Sequence, residues 1–471
     1  MKIVLSLALM ISVLFSISYD EWLKNKNNTY KRYKKNHDEA FSKMLKSGWE
    51  SYKLKHEKHM YRKTKPKSLP KINKQKNLRA DDIKNSKRVD IKPIKKTTDD
   101  IIKKVKISKT ADKIVTIKFF GTKSDIAYNN RFDFRFSRVS KNSIADFWQD
   151  FSTTAYKPLV KQFEFHFDNL NMSDWAKYQF VHKMGTKFYK DKNKANLFSW
   201  FILTKLGYDI KVGYNNYDIY LLSSIKHKIY QVSYFHIDGK RYYVLDPSGK
   251  KRGLKNIRTY KASYNRSLNS LSLQMNKPMK LNKYMLNKKV HFSYNKKRYK
   301  LNLQLNKNLI EFYKTFPQSD YDIYFNSQIS TDTKYSLLKS LREIIKNKSE
   351  VEAVNILLRF TQNSFGYKTD RDNFGYEKVL FPEETIYYRY SDCEDRTIMF
   401  RYLVTNLLKL DVVALKYKDH LASAVAISSK IKGDAFRIKG KIYYVADPTY
   451  INANIGQTMS KYKRSMPIPI Y

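Results

Sequence analysis

The chain has 471 residues, 42% hydrophobic and 15% aromatic, which suits about three domains with packed cores and excludes a disordered polymer. Lys+Arg 92 against Asp+Glu 43 gives a formal charge of +49. Lys, Asn, Tyr and Ile are abundant together, as in proteins from AT-rich genomes; that bias accounts for the charge, although such a surface attracts anions whatever its origin. The single cysteine excludes an internal disulfide and, with scattered histidines, argues against a zinc site.

Residues 1–18 read as a secretory signal peptide: Lys2 opens it, 3–15 are apolar, and Ser16-Ile17-Ser18 is a small-x-small cleavage pattern. The protein is therefore expected to be exported, to a periplasm, a cell envelope or the medium. Residues 19–61 predict a basic amphipathic helix through Tyr30, Tyr33, Phe41, Met44, Leu45, Trp49 and Tyr52, suited equally to packing on its own protein or to lying on an anionic envelope surface. Residues 62–110, rich in lysine with Pro66, Pro70 and Pro93, predict a linker.

Strands are expected at 114–121 and 131–136, and helices at 144–151, 175–189 and 197–206, followed by a strand at 208–214. Further strands are expected at 290–294, 299–305 and 321–325, as a small β-rich insert, then helices at 333–346 and 350–360. Segment 360–384, with its aromatics and glycines, is either one wall of a cleft or an ordinary packed loop.

The stretch 388–450 carries the chemistry. Ser391 and Asp392 are N-cap residue types, and apolar residues at helical spacing follow through Ile398, Met399, Tyr402, Leu403 and Leu407. Cys393, the sole cysteine, thus falls in a first helical turn, where unpaired N–H groups and the positive dipole end favour thiolate. A strand at 412–417, a short polar turn and a strand beginning at His420 come next. A last apolar run, 442–446, ends at Asp447-Pro448. A lone cysteine is most often a buried hydrophobe, and Asp-Pro often only starts a turn. Cysteine, histidine and aspartate in this order and on these elements instead suit a nucleophile, its base and the carboxylate that orients the base.

This stretch resembles the transglutaminase-like (papain-like) superfamily, especially bacterial transglutaminase-like cysteine peptidases, through Ser391-Asp392-Cys393-Glu394-Asp395-Arg396, His420 and Tyr443-Tyr444-Val445-Ala446-Asp447-Pro448. The resemblance implies an α+β fold with a papain-like core and a side-chain oxyanion donor upstream of the cysteine. Gln362 is the first candidate, with Tyr388 or Tyr390 nearly equal; the Cys393 backbone N–H is a further donor. Glu394 and Asp395 are read as helix-capping residues, with Arg396 paired to one of them. No cofactor is expected, and no acidic loop for calcium is recognisable.

The core also looks duplicated, since IDGKRYYVLDPSG from Ile237 matches IKGKIYYVADPTY from Ile438. In the first copy Lys192 to Asn196 stand where the cysteine belongs and Tyr217-Asp218 where the histidine belongs, and only Asp246 survives. The expected organisation is a signal peptide at 1–18, a basic helical region and linker at 19–110, a degenerate copy at 111–285 and a catalytic domain at 286–471. The expected activity is cysteine-dependent hydrolysis of a peptide or protein substrate through a thioester. Transfer to an amine, cross-linking proteins, uses the same intermediate. A reading of a different class is a non-catalytic envelope-surface binding protein. Nucleic acid is not an expected partner, because it rests on charge alone and export disfavours it.

Overall fold

The structure is a computed structural model that describes residues 19–56, 68–73, 77–94, 102–103, 112–245, 254–264 and 267–471. The expected signal peptide and Asp246 lie outside the described residues.

The first half begins with helix α1 (Tyr19–Ser47), strands β1 (Trp49–Lys53) and β2 (Lys55–His56), and the short helix α2 (Ala80–Lys84). A hairpin of β3 (Lys113–Phe119) and β4 (Thr122–Tyr128) leads into α3 (Lys141–Thr153), α4 (Lys157–Asn169), α5 (Asp174–Tyr189) and α6 (Lys192–Lys205). Strands β5 (Ile210–Tyr214), β6 (Ile219–Ser224), β7 (Ser233–Ile237), β8 (Lys240–Leu245) and β9 (Asn256–Tyr260) join β1 and β2 in a 7-stranded sheet ordered β1-β9-β5-β6-β8-β7-β2.

The second half opens with a long hairpin, β10 (Met285–Tyr294) and β11 (Lys297–Asn306), then α7 (Lys307–Tyr313), α8 (Tyr321–Phe325), α9 (Thr331–Ile345) and α10 (Glu350–Asn363). Short pieces β12 (Gly366–Tyr367), α11 (Asp370–Phe374), α12 (Pro382–Tyr387) and β13 (Tyr390–Ser391) lead to α13 (Cys393–Leu407). Strands β14 (Val412–Lys416), β15 (Leu421–Val425), β16 (Ala435–Ile438), β17 (Lys441–Val445) and β18 (Ile468–Ile470) form a 5-stranded antiparallel sheet ordered β16-β17-β15-β14-β18.

The two sheets share a plan. Around α6 the order β9-β5-β6-β8-β7 matches β18-β14-β15-β17-β16 around α13. Each helix starts after an aspartate N-cap, Asp191 or Asp392. In each, a polar side chain one turn in reaches the first residue of the second strand: Asn196 Nδ2 donates to the Ile219 carbonyl at 2.7 Å, and Thr397 Oγ1 to the Leu421 carbonyl at 3.1 Å.

The mixed helix and sheet content agrees with the α+β expectation, and several local expectations are corrected. The helix expected over 19–61 stops at Ser47, because Gly48 follows and Trp49 to Lys53 pair with β9. Its C-terminal half packs inward: Asp38, Phe41, Ser42 and Leu45 are buried, Ser42 Oγ donates to the Ala145 carbonyl at 3.2 Å, and Trp148 Nε1 donates to Asp38 at 3.1 Å. Residues 131–136 form a 3₁₀ turn (Asn130–Phe132) and then irregular chain, with the Asn129 side chain accepting from the Arg131 N–H. Residues 321–325 are helix, not strand; Tyr321, Ile323, Tyr324 and Phe325 are all buried, so tertiary packing overrides aromatic strand preference.

The expected linker is docked where it is described. Val89 N–H donates to the Lys348 carbonyl at 2.8 Å, Glu350 N–H to the Lys87 carbonyl at 2.8 Å, and Leu78, Val89, Ile91 and Ile94 lie against the core of the second half. That core joins β10 and β11 to α9, α10 and α13. Helices α7 and α8 belong instead to the larger core built on α3 to α6, where Phe312 meets Phe120 at 5.5 Å between ring centroids. No helix among the described residues is long and apolar enough to cross a membrane.

Candidate active site

Cys393 is the first residue of α13. Asp392 caps the helix by accepting from the Asp395 N–H at 3.4 Å, and Asp395 returns the bond by accepting from the Asp392 N–H at 3.1 Å. Asp395 is therefore a capping residue, as expected, whereas Glu394 is not. Its carboxylate accepts from the Cys393 thiol at 2.8 Å and from the Tyr321 hydroxyl at 3.4 Å, all within a buried setting. Arg396 is not paired with either acid: its Nε donates to Ser391 Oγ and its two Nη to the Gln362 and Phe365 carbonyls, at 3.1, 3.1 and 2.7 Å. Burial lowers its pKa to about 10, still far above neutral pH, so these bonds remain charge-assisted.

His420 closes the turn before β15, where its carbonyl accepts from the Tyr417 N–H at 2.9 Å. Tyr462 is stacked on the His420 ring at 5.3 Å with an interplanar angle of 11°, and Tyr417 stacks in turn on Tyr462 at 4.5 Å. Asp447 follows β17 and lies 2.9 Å from His420 Nε2 through Oδ2. Thr449 completes the group: its N–H and its hydroxyl both donate to Asp447 Oδ1, at 2.9 and 2.6 Å, and its Oγ1 is 3.2 Å from His420 Nε2. Burial pushes the Asp447 carboxyl up, but the His420 ring and the Thr449 donors outweigh it and hold the group below the usual carboxylate value.

Cys393, His420 and Thr449 line one pocket of ≈ 240 Å³, with Tyr367, Tyr450, Met459, Lys461, Tyr462 and residues 69–71 among its other walls. Of segment 360–384, only Tyr367 reaches this wall. Residues 336–471 match the family model described as a transglutaminase-like domain. This part of the chain is similar to transglutaminase-like domains. No curated protein and no solved structure matches the chain.

Within the transglutaminase-like domain Gln362 does not serve as the oxyanion donor expected of it. Its Nε2 donates to the Asp447 and Ala453 carbonyls at 3.0 and 3.2 Å, and its Oε1 accepts from Arg359 Nη1 and from the Asn452 N–H. Both amide hydrogens are committed behind the pocket, so Gln362 holds the loop that carries Asp447. Tyr388 and Tyr390 are absent from the pocket wall as well; the Tyr388 ring lies edge-on to Phe374 and that of Tyr390 under Lys368.

Asp370, Asp392 and Asp395 are the described residues whose carboxylate oxygens converge, within 4.8 Å, and so could hold a cation. They already accept backbone N–H bonds from Lys378, Leu380, Asp392 and Asp395. Burial and the Asp392 charge raise the Asp395 carboxyl well above its usual value.

Sequence reasoning missed Thr449 and Tyr462. Thr449, two residues after an aspartate, is a standard turn partner and could have been found from Asp447-Pro448-Thr449 alone. Tyr462 has no local signal, because it reaches His420 from a distant loop.

Proposed function

We propose that the transglutaminase-like domain is a cysteine-dependent acyl-transfer enzyme that hydrolyses peptide or amide bonds. The observation that carries this reading is a histidine hydrogen-bonded to a buried aspartate and opening onto the same pocket as a helix-start cysteine. In the proposed sequence the Cys393 proton passes to His420 Nδ1 as the sulfur attacks the substrate carbonyl. His420 then protonates the leaving nitrogen, and water, deprotonated by His420, resolves the thioester. Asp447 accepts from Nε2 throughout, fixing the tautomer and stabilising the imidazolium. The Cys393 N–H, at the positive end of α13, is assigned to the developing oxyanion.

Hydrolysis is preferred to amine transfer because it needs no second substrate site. The test is intact-mass spectrometry of the protein turning over a peptide mixture. An acyl adduct on Cys393, lost with turnover in Cys393→Ala, is expected; turnover that persists in Cys393→Ala contradicts the reading. The same spectrum tests export, for which a mature chain beginning at Tyr19 is expected and an intact Met1 terminus from the native host would argue against it.

We further propose that the chain carries two copies of the core and that the first has lost its chemistry. The shared strand order supports this, as do the positions of Lys192, directly after the Asp191 cap, and Asp218, directly before β6, where the second copy has Cys393 and His420. An experimental structure in which α6 through β8 failed to superpose on α13 through β17, strand for strand, would refute it.

A further inference from the structure

Residues 68–72 pass beside the pocket that Cys393 and His420 line, and Leu69, Pro70 and Lys71 form part of its wall. This segment is not merely adjacent. Lys71 makes a parallel β-bridge with Ile451, in which the Ile72 N–H donates to the Ile451 carbonyl and the Ile451 N–H donates to the Pro70 carbonyl, each at 3.0 Å. Asn452 Nδ2 adds a clamp on the Ile72 carbonyl at 2.9 Å. The local sequence suits that role: a residue before proline is driven to extended backbone, and Pro70 lacks an N–H at a position where the bridge uses only its carbonyl.

Downstream the same chain is tied to the domain. The Ser86 hydroxyl accepts from the Val351 N–H at 3.2 Å, and Arg342 reaches the Ile91 and Lys92 carbonyls at 3.1 Å. Backbone pairing beside a pocket is how an extended peptide is held by strand addition, and the Lys71–Ile451 bridge is one unit of such pairing.

We propose that residues 68–72 are an autoinhibitory strap, seated along Ile451 where an extended polypeptide substrate would pair, so that a substrate enters only by displacing it. This rests on the reading of Cys393 and His420 as catalytic. The strap is held by a few hydrogen bonds, each worth little net of water, so it is displaceable, and loss of one bond raises the open fraction by about three- to tenfold.

The test compares two reagents on the sole thiol of the full chain, small iodoacetamide and bulky fluorescein maleimide. Ile72→Pro removes the strap's donor, and Asn452→Gly removes the clamp at a position of positive φ (67°) where glycine is unstrained. The two changes lie on opposite sides of the bridge, so failure of one variant to fold leaves the other. The expected result is a rise of about threefold or more in the maleimide-to-iodoacetamide rate ratio for each variant, with the iodoacetamide pH profile unmoved. An unchanged ratio in a folded variant overturns the strap. An ordinary pH profile for wild type would sink the catalytic reading separately, because the ratio reports access and the profile reports activation.

Discussion

Glu394 faces the thiol that precedes it in sequence, and its charge works against the influences that favour the Cys393 thiolate. A carboxylate 2.8 Å from sulfur stabilises the S–H form and opposes a second negative charge beside it. The helix dipole and an imidazolium at His420 pull the other way. Glu394 therefore acts as a brake on thiolate formation, an effect that a negative charge beside the nucleophile already suggests in sequence, whereas the capping role read for both acids belongs to Asp395. Glu394→Gln is expected to ease thiolate formation, measured as faster iodoacetamide alkylation at pH 6 to 7. Unchanged alkylation would show that the carboxylate does not govern the thiol.

Among the elements, α13, β15 and β17 were legible because their signals are local: an aspartate cap, helical spacing, and apolar runs punctuated by Asp419 and Asp447. What was not legible depends on partners far away in sequence. Gln362 suits an oxyanion donor in sequence only because the resemblance implies one upstream, and its amide is spent on the 447–453 loop. Residues 68–72 read as linker because their lysines and prolines lack a core signature, and most of what docks them is backbone, which every sequence has, with one side-chain clamp from distant Asn452.

The 456–462 loop, which supplies Met459 to Tyr462 to the pocket, is likewise positioned by backbone. Asp434 N–H donates to the Gly456 carbonyl at 2.8 Å, and a Cβ on Gly433 would come within 2.6 Å of the Gly456 Cα. Gly433→Ala should cost about 1–3 kcal/mol in urea unfolding and reduce turnover by shifting that wall. Full stability and activity in this variant would show that the close approach is unimportant.

At the scale of the whole molecule, the first half is more than an appendage. Its core takes in Val379, Phe381, Ala414 and Leu421 of the transglutaminase-like domain, and Phe381 lies 4.8 Å from the Tyr324 ring of α8. The basic helix α1 is fastened to this core through Asp38, which accepts from Trp148 and pairs with buried Lys205. Asp38→Ala removes the carboxylate paired with that ammonium and is expected to destabilise the fold by about 3–5 kcal/mol, read by urea unfolding. A change within about 0.5 kcal/mol would mean that α1 is dispensable to the core.

The central claim is that His420 activates Cys393. The direct test is the pH dependence of Cys393 alkylation by iodoacetamide in wild type and in His420→Ala, clean because the chain has one thiol. The account predicts a wild-type midpoint well below the free-cysteine value of roughly 8.5, moving up when the imidazole is removed. An ordinary midpoint that is the same in both folded proteins would contradict it.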